Sequence, residues 1–269
     1  MKLIIICFFI IFYSAFAKNV DLKDKYNNTE LHYAVSKCDI NKTIELIKKG
    51  AEVNLLGGDN FSPLHKVIKE CDDEDKALKI IDILLKNKIN PNLKDLYNRE
   101  ALHYACEKGI KACKKLIPIS DVNNKDISGK TPLMNVSNPD LIKFFINNGA
   151  DINAQDKLAN TSLHVYVNKE CLECVKIILD HNPKLNLQDK YGRTPLHVAA
   201  KYGLIEIAEA LLVNDIDINI KDNEGFLAYD YADIKNSKII LRPLYLNNDT
   251  KIKEKRNKIK ALLKNKNFK

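Results

Sequence analysis

The apolar residues of this chain fall into short stripes at helical spacing, and the stripes come in pairs. Ile207, Ala208, Leu211 and Leu212 stand at i, i+1, i+4 and i+5, which predicts an amphipathic helix. Just before it, Leu196, Val198, Ala199 and Ala200 offer apolar or small surface on a first helix, with Gly203 at the turn between the two. Thr194 is suited to cap that first helix with its hydroxyl, and Pro195 fits the first helical position, where no backbone donor is needed. A helix pair of this size buries little alone and must stack on a neighbouring pair.

The pair recurs. Thr29-Glu30-Leu31-His32, Ser62-Pro63-Leu64-His65, Glu100-Ala101-Leu102-His103, Thr131-Pro132-Leu133-Met134, Thr161-Ser162-Leu163-His164 and Thr194-Pro195-Leu196-His197 share one register, followed by a degenerate Leu227-Ala228-Tyr229-Asp230. The third position falls at 31, 64, 102, 133, 163, 196 and 229, in steps close to 33. An Asp stands seven residues before it in six of the seven units (Asp24, Asp95, Asp126, Asp156, Asp189, Asp222), with Gly57 the exception. Units close on Gly50-Ala51-Glu52-Val53-Asn54 and Gly149-Ala150-Asp151-Ile152-Asn153. This phased set resembles the ankyrin repeat. The resemblance implies an all-α solenoid of about seven units, elongated and curved, each a helix-turn-helix with a β-hairpin finger. The units are placed at 26–55, 59–94, 97–125, 128–155, 158–188, 191–221 and a degenerate capping unit at 224–246.

Irregular steps mark where units depart from the pattern. About five extra residues around Glu70 to Asp75 should bulge as an acidic loop, and unit three is short near Ile117-Pro118-Ile119. Unit four lacks about one turn near Val136 to Pro139, so Pro139 is expected to start a second helix carrying Leu141, Ile142, Phe145 and Ile146. These two short units should be the weakest stacking points.

The longest apolar run, Leu3 to Tyr13, lies outside the repeats. It follows Lys2 and precedes Ala15-Phe16-Ala17, the layout of a secretory signal at 1–17 cleaved between Ala17 and Lys18. An uncleaved anchor is the alternative, but the run is short of the ~20 residues that span a bilayer. The expectation is therefore an exported chain.

Composition excludes collagen-like and low-complexity classes, with 45% hydrophobic and 29% charged residues, 9 Gly and 8 Pro. The net charge of +8 would suggest nucleic acid, but residues 249–269 hold nine Lys/Arg against two acids, so the repeat body is neutral. In that tail Ile252, Ile259, Leu262 and Leu263 lie at i, i+7, i+10 and i+11, an amphipathic basic helix. It reads as a cap on the end of the stack; binding an acidic membrane or nucleic acid is the alternative.

Five of six histidines (His32, His65, His103, His164, His197) occupy one slot of the repeat, spaced along the array instead of converging as metal ligands would. A structural bond to the neighbouring loop is expected of them. With the signal removed six cysteines remain. Cys106, Cys113 and Cys174 take core seats in the repeat register, and Cys38 and Cys71 are the pair most nearly aligned for a disulfide. Cys171-Leu172-Glu173-Cys174 has redox spacing but lacks a strand-to-helix turn before it, which favours a structural reading. No nucleophile elbow, phosphate loop or zinc motif occurs.

What the resemblance implies is a non-catalytic scaffold for one or more proteins, monomeric, without cofactor or small-molecule substrate. An exported protein of this kind from a low-GC genome resembles a host-directed effector of an intracellular bacterium. In the family's register the partner-reading positions at the finger tips are Tyr26, Phe61, Leu96, Tyr97, Ile127, Leu158, Tyr191, Arg193 and Phe226, with Tyr202 on the same side. Such aromatic clusters mark interfaces when exposed; the alternative is that each ring folds onto its neighbouring finger.

Overall fold

The structure is a computed structural model that describes residues 20–214, 216–232 and 250–266. The chain divides into two compact units, Met1–Ile127 and Ser128–Lys269. The signal at 1–17, its cleavage site at Ala17 and Lys18, and residues 233–249 lie outside the described residues. Among the described residues no helix is long and apolar enough to cross a membrane.

In the first unit three helix pairs follow one another: α1 (Glu30–Ser36) with α2 (Ile40–Lys48), α3 (Pro63–Glu70) with α4 (Glu74–Lys86), and α5 (Ala101–Lys108) with α6 (Ile110–Leu116). First helices pack on first helices (α1 on α3, α3 on α5), and α2 packs on α4. The second unit repeats the scheme with α7 (Pro132–Asn135), α8 (Pro139–Asn147), α9 (Ser162–Asn168), α10 (Leu172–Leu179), α11 (Pro195–Tyr202), α12 (Ile205–Val213) and α13 (Ala228–Ala232). A last helix, α14 (Thr250–Lys266), packs against α11, α12 and α13. Both units are stacked helix pairs of the all-α solenoid class.

Leu31, Leu64, Leu102, Leu133, Leu163 and Leu196 are all buried, one per unit, so each first helix sends the same side chain into the stack. The tail's Ile259 and Leu263 are buried as well, which seats α14 as the terminal cap. Terminal repeats need such a cover because their outer face has no further neighbour.

Three expectations change in detail. The fingers are tight turns, and no strand forms among the described residues. Successive fingers share single backbone bonds, such as Leu96 N–H to the Asp59 carbonyl (3.2 Å) and Lys190 N–H to the Leu158 carbonyl (2.9 Å), too few for a ladder. The acidic insertion does not bulge. Asp73 caps α4 by accepting from Lys76 N–H, and Glu74 and Asp75 form its first turn, where carboxylates favour a helix start, so the extra residues lengthen α4 to 13. The cysteines read as core residues, thirdly, are joined: Cys106 to Cys113 between α5 and α6, and Cys174 to Cys171 at the start of α10; Cys38 and Cys71, the pair aligned in the sequence, are also bonded, between the first two repeats.

The Cys38–Cys71 bond closes 33 residues and ties two repeats together, which restricts the unfolded chain. Cys38→Ser with Cys71→Ser should therefore lower unfolding free energy by about 2 to 4 kcal/mol, read from urea melts. An unchanged midpoint would show that the bond adds no constraint.

Unit four is short as expected. Its first helix has only four residues, and Pro139 starts α8, which buries Leu141, Ile142 and Phe145. Met134 takes the histidine slot there, and the buried Thr131 hydroxyl has no hydrogen-bond partner among the described residues.

Candidate protein-binding surface

The candidate surface is built by two hydrogen-bond devices that hold each finger. The first is the Asp. Asp95 Oδ1 accepts from the backbone N–H groups of Tyr97 (2.8 Å) and Arg99 (2.9 Å), and Asp24, Asp156, Asp189 and Asp222 accept from the residues two and four positions on in the same way. Such side-chain turns fix the tip residues with no help from the tip side chains. Gly57 breaks the pattern because a Cβ there would meet Asn28 Oδ1 at 2.5 Å and the His32 ring at 2.9 Å. Asn28 instead reaches across, its Oδ1 accepting from Gly58 N–H at 3.1 Å.

The second device is the histidine. Backbone N–H groups of Thr29, Ser62, Thr161 and Thr194 donate to Nδ1 of His32, His65, His164 and His197 at 3.2–3.3 Å. Nδ1 is therefore an acceptor, the ring proton sits on Nε2, and Nε2 donates to the carbonyl of Phe61, Arg99, Arg193 or Phe226 in the next repeat at 3.0–3.2 Å. All four rings are buried, and burial holds His32 and His65 down at about 4 and His164 and His197 below the ordinary value. Neutral imidazole is the form this bond requires.

Held this way, the tips of the first unit expose Tyr26, Leu96, Tyr97 and Ile127, and those of the second expose Leu158 and Tyr191, with Tyr202 at the end of α11 also exposed. Their exposures run from 45% at Leu158 to 62% at Tyr26. Cations lie over the rings: Lys25 over Tyr26, Lys190 and Arg193 over Tyr191, and Lys201 over Tyr202.

Three predicted tip residues are placed differently. Phe61 is only 7% exposed, stacked on His65 and edge-on to Tyr104, with Lys69 over its face. Phe226 is half-buried with its ring against Tyr231. Arg193 is tied to Asp189 by Nε (2.9 Å) and Nη2 (2.6 Å) and is also half-buried. These side chains fold onto the scaffold. A further bond escaped the sequence reading: Tyr33, Tyr104 and Tyr231 hydroxyls donate to Oδ2 of Asp24, Asp95 and Asp222 at 2.5–2.6 Å. The signal was a Tyr nine residues after the finger Asp.

The family model for ankyrin repeats in three copies matches residues 65–156 and 134–222, together more than half of the chain. The chain belongs to the ankyrin-repeat family. Human palmitoyltransferase ZDHHC13 is 32% identical over 153 residues, 52% of this chain and 23% of that protein. A fowlpox virus protein named for its ankyrin repeats, FPV230, is 30% identical over 172 residues, 51% of this chain and 91% of that protein. The chain thus spans about a quarter of the length of the palmitoyltransferase it matches. Among solved structures the ankyrin repeat domain of Bcl-3 superposes with a TM-score of 0.67 at 23% identity, covering 77% of this chain and 95% of that one. Human ASB11's ankyrin repeat domain gives 0.67 at 20% identity, covering 86% and 98%. At these identities the two structures establish the ankyrin fold alone. Ankyrin repeats are protein-interaction scaffolds and generally not enzymes, which agrees with a surface whose hydrogen bonds serve to hold tips in place.

Proposed function

We propose that this ankyrin protein is an exported, non-catalytic scaffold that binds a partner protein through its finger tips. The observation that carries the reading is the set of exposed tip rings, Tyr26, Tyr97 and Tyr191, on turns held by backbone, Asp and neighbouring Asn or Gln bonds and not by the rings themselves. Exposed aromatics that the fold does not use are the residue type that anchors interfaces. The cations over Tyr26 and Tyr191 suit a partner segment that presents apolar side chains flanked by carboxylates. Export is supported by the pairing of all six cysteines of the mature chain, since disulfides persist in oxidising compartments. Delivery to a host cell is the extension of that reading, tested by fractionating infected cells.

The binding test uses Tyr97→Ser and Tyr191→Ser in the full mature chain, one per unit. Phe226 is left alone because it packs on Tyr231. Each variant should keep its melting curve and lose about 2 kcal/mol of affinity, roughly 30-fold in Kd, for a partner captured by the wild type. Lower stability with affinity intact would mean that these rings only support the array.

A further inference from the structure

Cys171 stands at the N-cap of α10, and its Sγ accepts from the backbone N–H of Cys174 at 3.3 Å. A sulfur in that position is where a thiolate gains most from unpaired helix N–H groups and the positive end of the helix. Lys169, two residues earlier, brings its ammonium to the Ser137 hydroxyl (3.2 Å) and the Met134 carbonyl (3.1 Å). The carbonyl of that same Ser137 lies 3.5 Å from Cys174 Sγ. Both sulfurs therefore have a partner waiting for the reduced state: a backbone N–H donor for the Cys171 thiolate, and an acceptor for the Cys174 thiol. Cys171 is half-buried and Cys174 fully buried, so an external reagent reaches Cys171 first.

The other two pairs differ. Cys38–Cys71 closes 33 residues and Cys106–Cys113 joins two helices, whereas Cys171–Cys174 spans three residues at one helix start and constrains the chain least. Neither of the others places a cysteine at a helix N-cap where it accepts a backbone N–H.

We propose that Cys171–Cys174 is a thiol–disulfide exchange site, opened by low-molecular-mass thiols, while the other two bonds are structural. A thiolate RS⁻ attacks Cys171 Sγ and forms a mixed disulfide. The Cys171–Cys174 bond breaks, and its electron pair leaves on Cys174, which takes a proton and donates S–H to the Ser137 carbonyl. A second thiolate attacks the R sulfur and releases Cys171 as a thiolate and RSSR as product. Two RSH are oxidised to one RSSR as the protein gains two electrons and one proton, on Cys174, while the second proton stays in solvent and Cys171 remains a thiolate; a small disulfide reverses the sequence.

The test equilibrates the full mature chain in glutathione buffers of rising reducing power, followed by acid quench, alkylation and peptide mapping. Cys171 and Cys174 should open at a GSH²/GSSG ratio at least ten-fold lower than the other pairs, with the far-UV circular dichroism unchanged. Opening together with the others, or after them, overturns the proposal. In Cys174→Ser, the alkylation rate of Cys171 should show a pH midpoint about one unit or more below the ordinary thiol value of ~8.5. A midpoint at or above that value overturns it equally, and the wild-type titration decides should this variant fail to fold.

Discussion

Leu196→Ala should lower the unfolding free energy by about 2 to 5 kcal/mol, as a buried leucine does when its cavity cannot close. The side chain is fully buried on α11, which packs against α9, α12, α13 and α14. Because each repeat borrows stability from its neighbours, the loss should spread through α9 to α13 and appear as faster amide exchange across those helices. Val213→Ala, at an 82% exposed position on α12, is the control and should stay within about 0.5 kcal/mol. Equal urea midpoints for Leu196→Ala and wild type would overturn the stacking account.

Acid should destabilise this protein well before its carboxylates titrate in bulk. His32 and His65 sit at about 4 when folded against an ordinary 6.5 unfolded, and burial lowers His164 and His197 too. The unfolded chain therefore binds more protons, stability is complete above about 6.5, and His32 and His65 each cost about 1.4 kcal/mol per pH unit as pH falls from there towards 4, with His164 and His197 acting in the same direction. Glu100 opposes this. It takes the Thr slot of unit three, is 2% exposed, and burial raises it to about 7, with one carboxylate oxygen lacking a hydrogen-bond partner. The folded form holds its proton between pH 4.5 and 7, which returns about one histidine's worth of stability as pH falls. Four histidines outweigh one carboxyl, so the urea midpoint at pH 5 should lie below that at pH 7.5. Glu100→Gln should steepen the dependence by removing the opposing group. Midpoints that hold steady or rise on acidification in both proteins would contradict the neutral-imidazole assignment.

Features set by recurrence were legible in the residues. The Leu and His slots and the finger Asp repeat in phase, and the start of α8 was legible separately, from the fit of Pro139 to a first helical position. The tail was legible as well, since helical spacing of Ile259 and Leu263 marks the edge that becomes buried. Features set by particular neighbours were not. Whether Phe61 points outward depends on the room between His65 and Tyr104, and Phe226 depends likewise on Tyr231. Apolar periodicity treats Cys106 and Cys113 as small core residues, because their approach exists only once α5 folds back on α6. The acidic stretch at 70–75 carries loop composition and helix-start composition at once; the capping bond from Asp73 decides it.

The histidine bond between repeats ends on a main-chain oxygen, and the four residues that offer it are two phenylalanines and two arginines. An aromatic and a cation have nothing in common there except the peptide group. The clamp is thus blind to the side chain it holds beside. Mutation can rewrite that side of the finger, or recombination can transplant a whole finger from another gene, without renegotiating the joint. Novelty in what the protein recognises is separated from the risk of falling apart, and lineages carrying such joints can explore partners at little structural hazard.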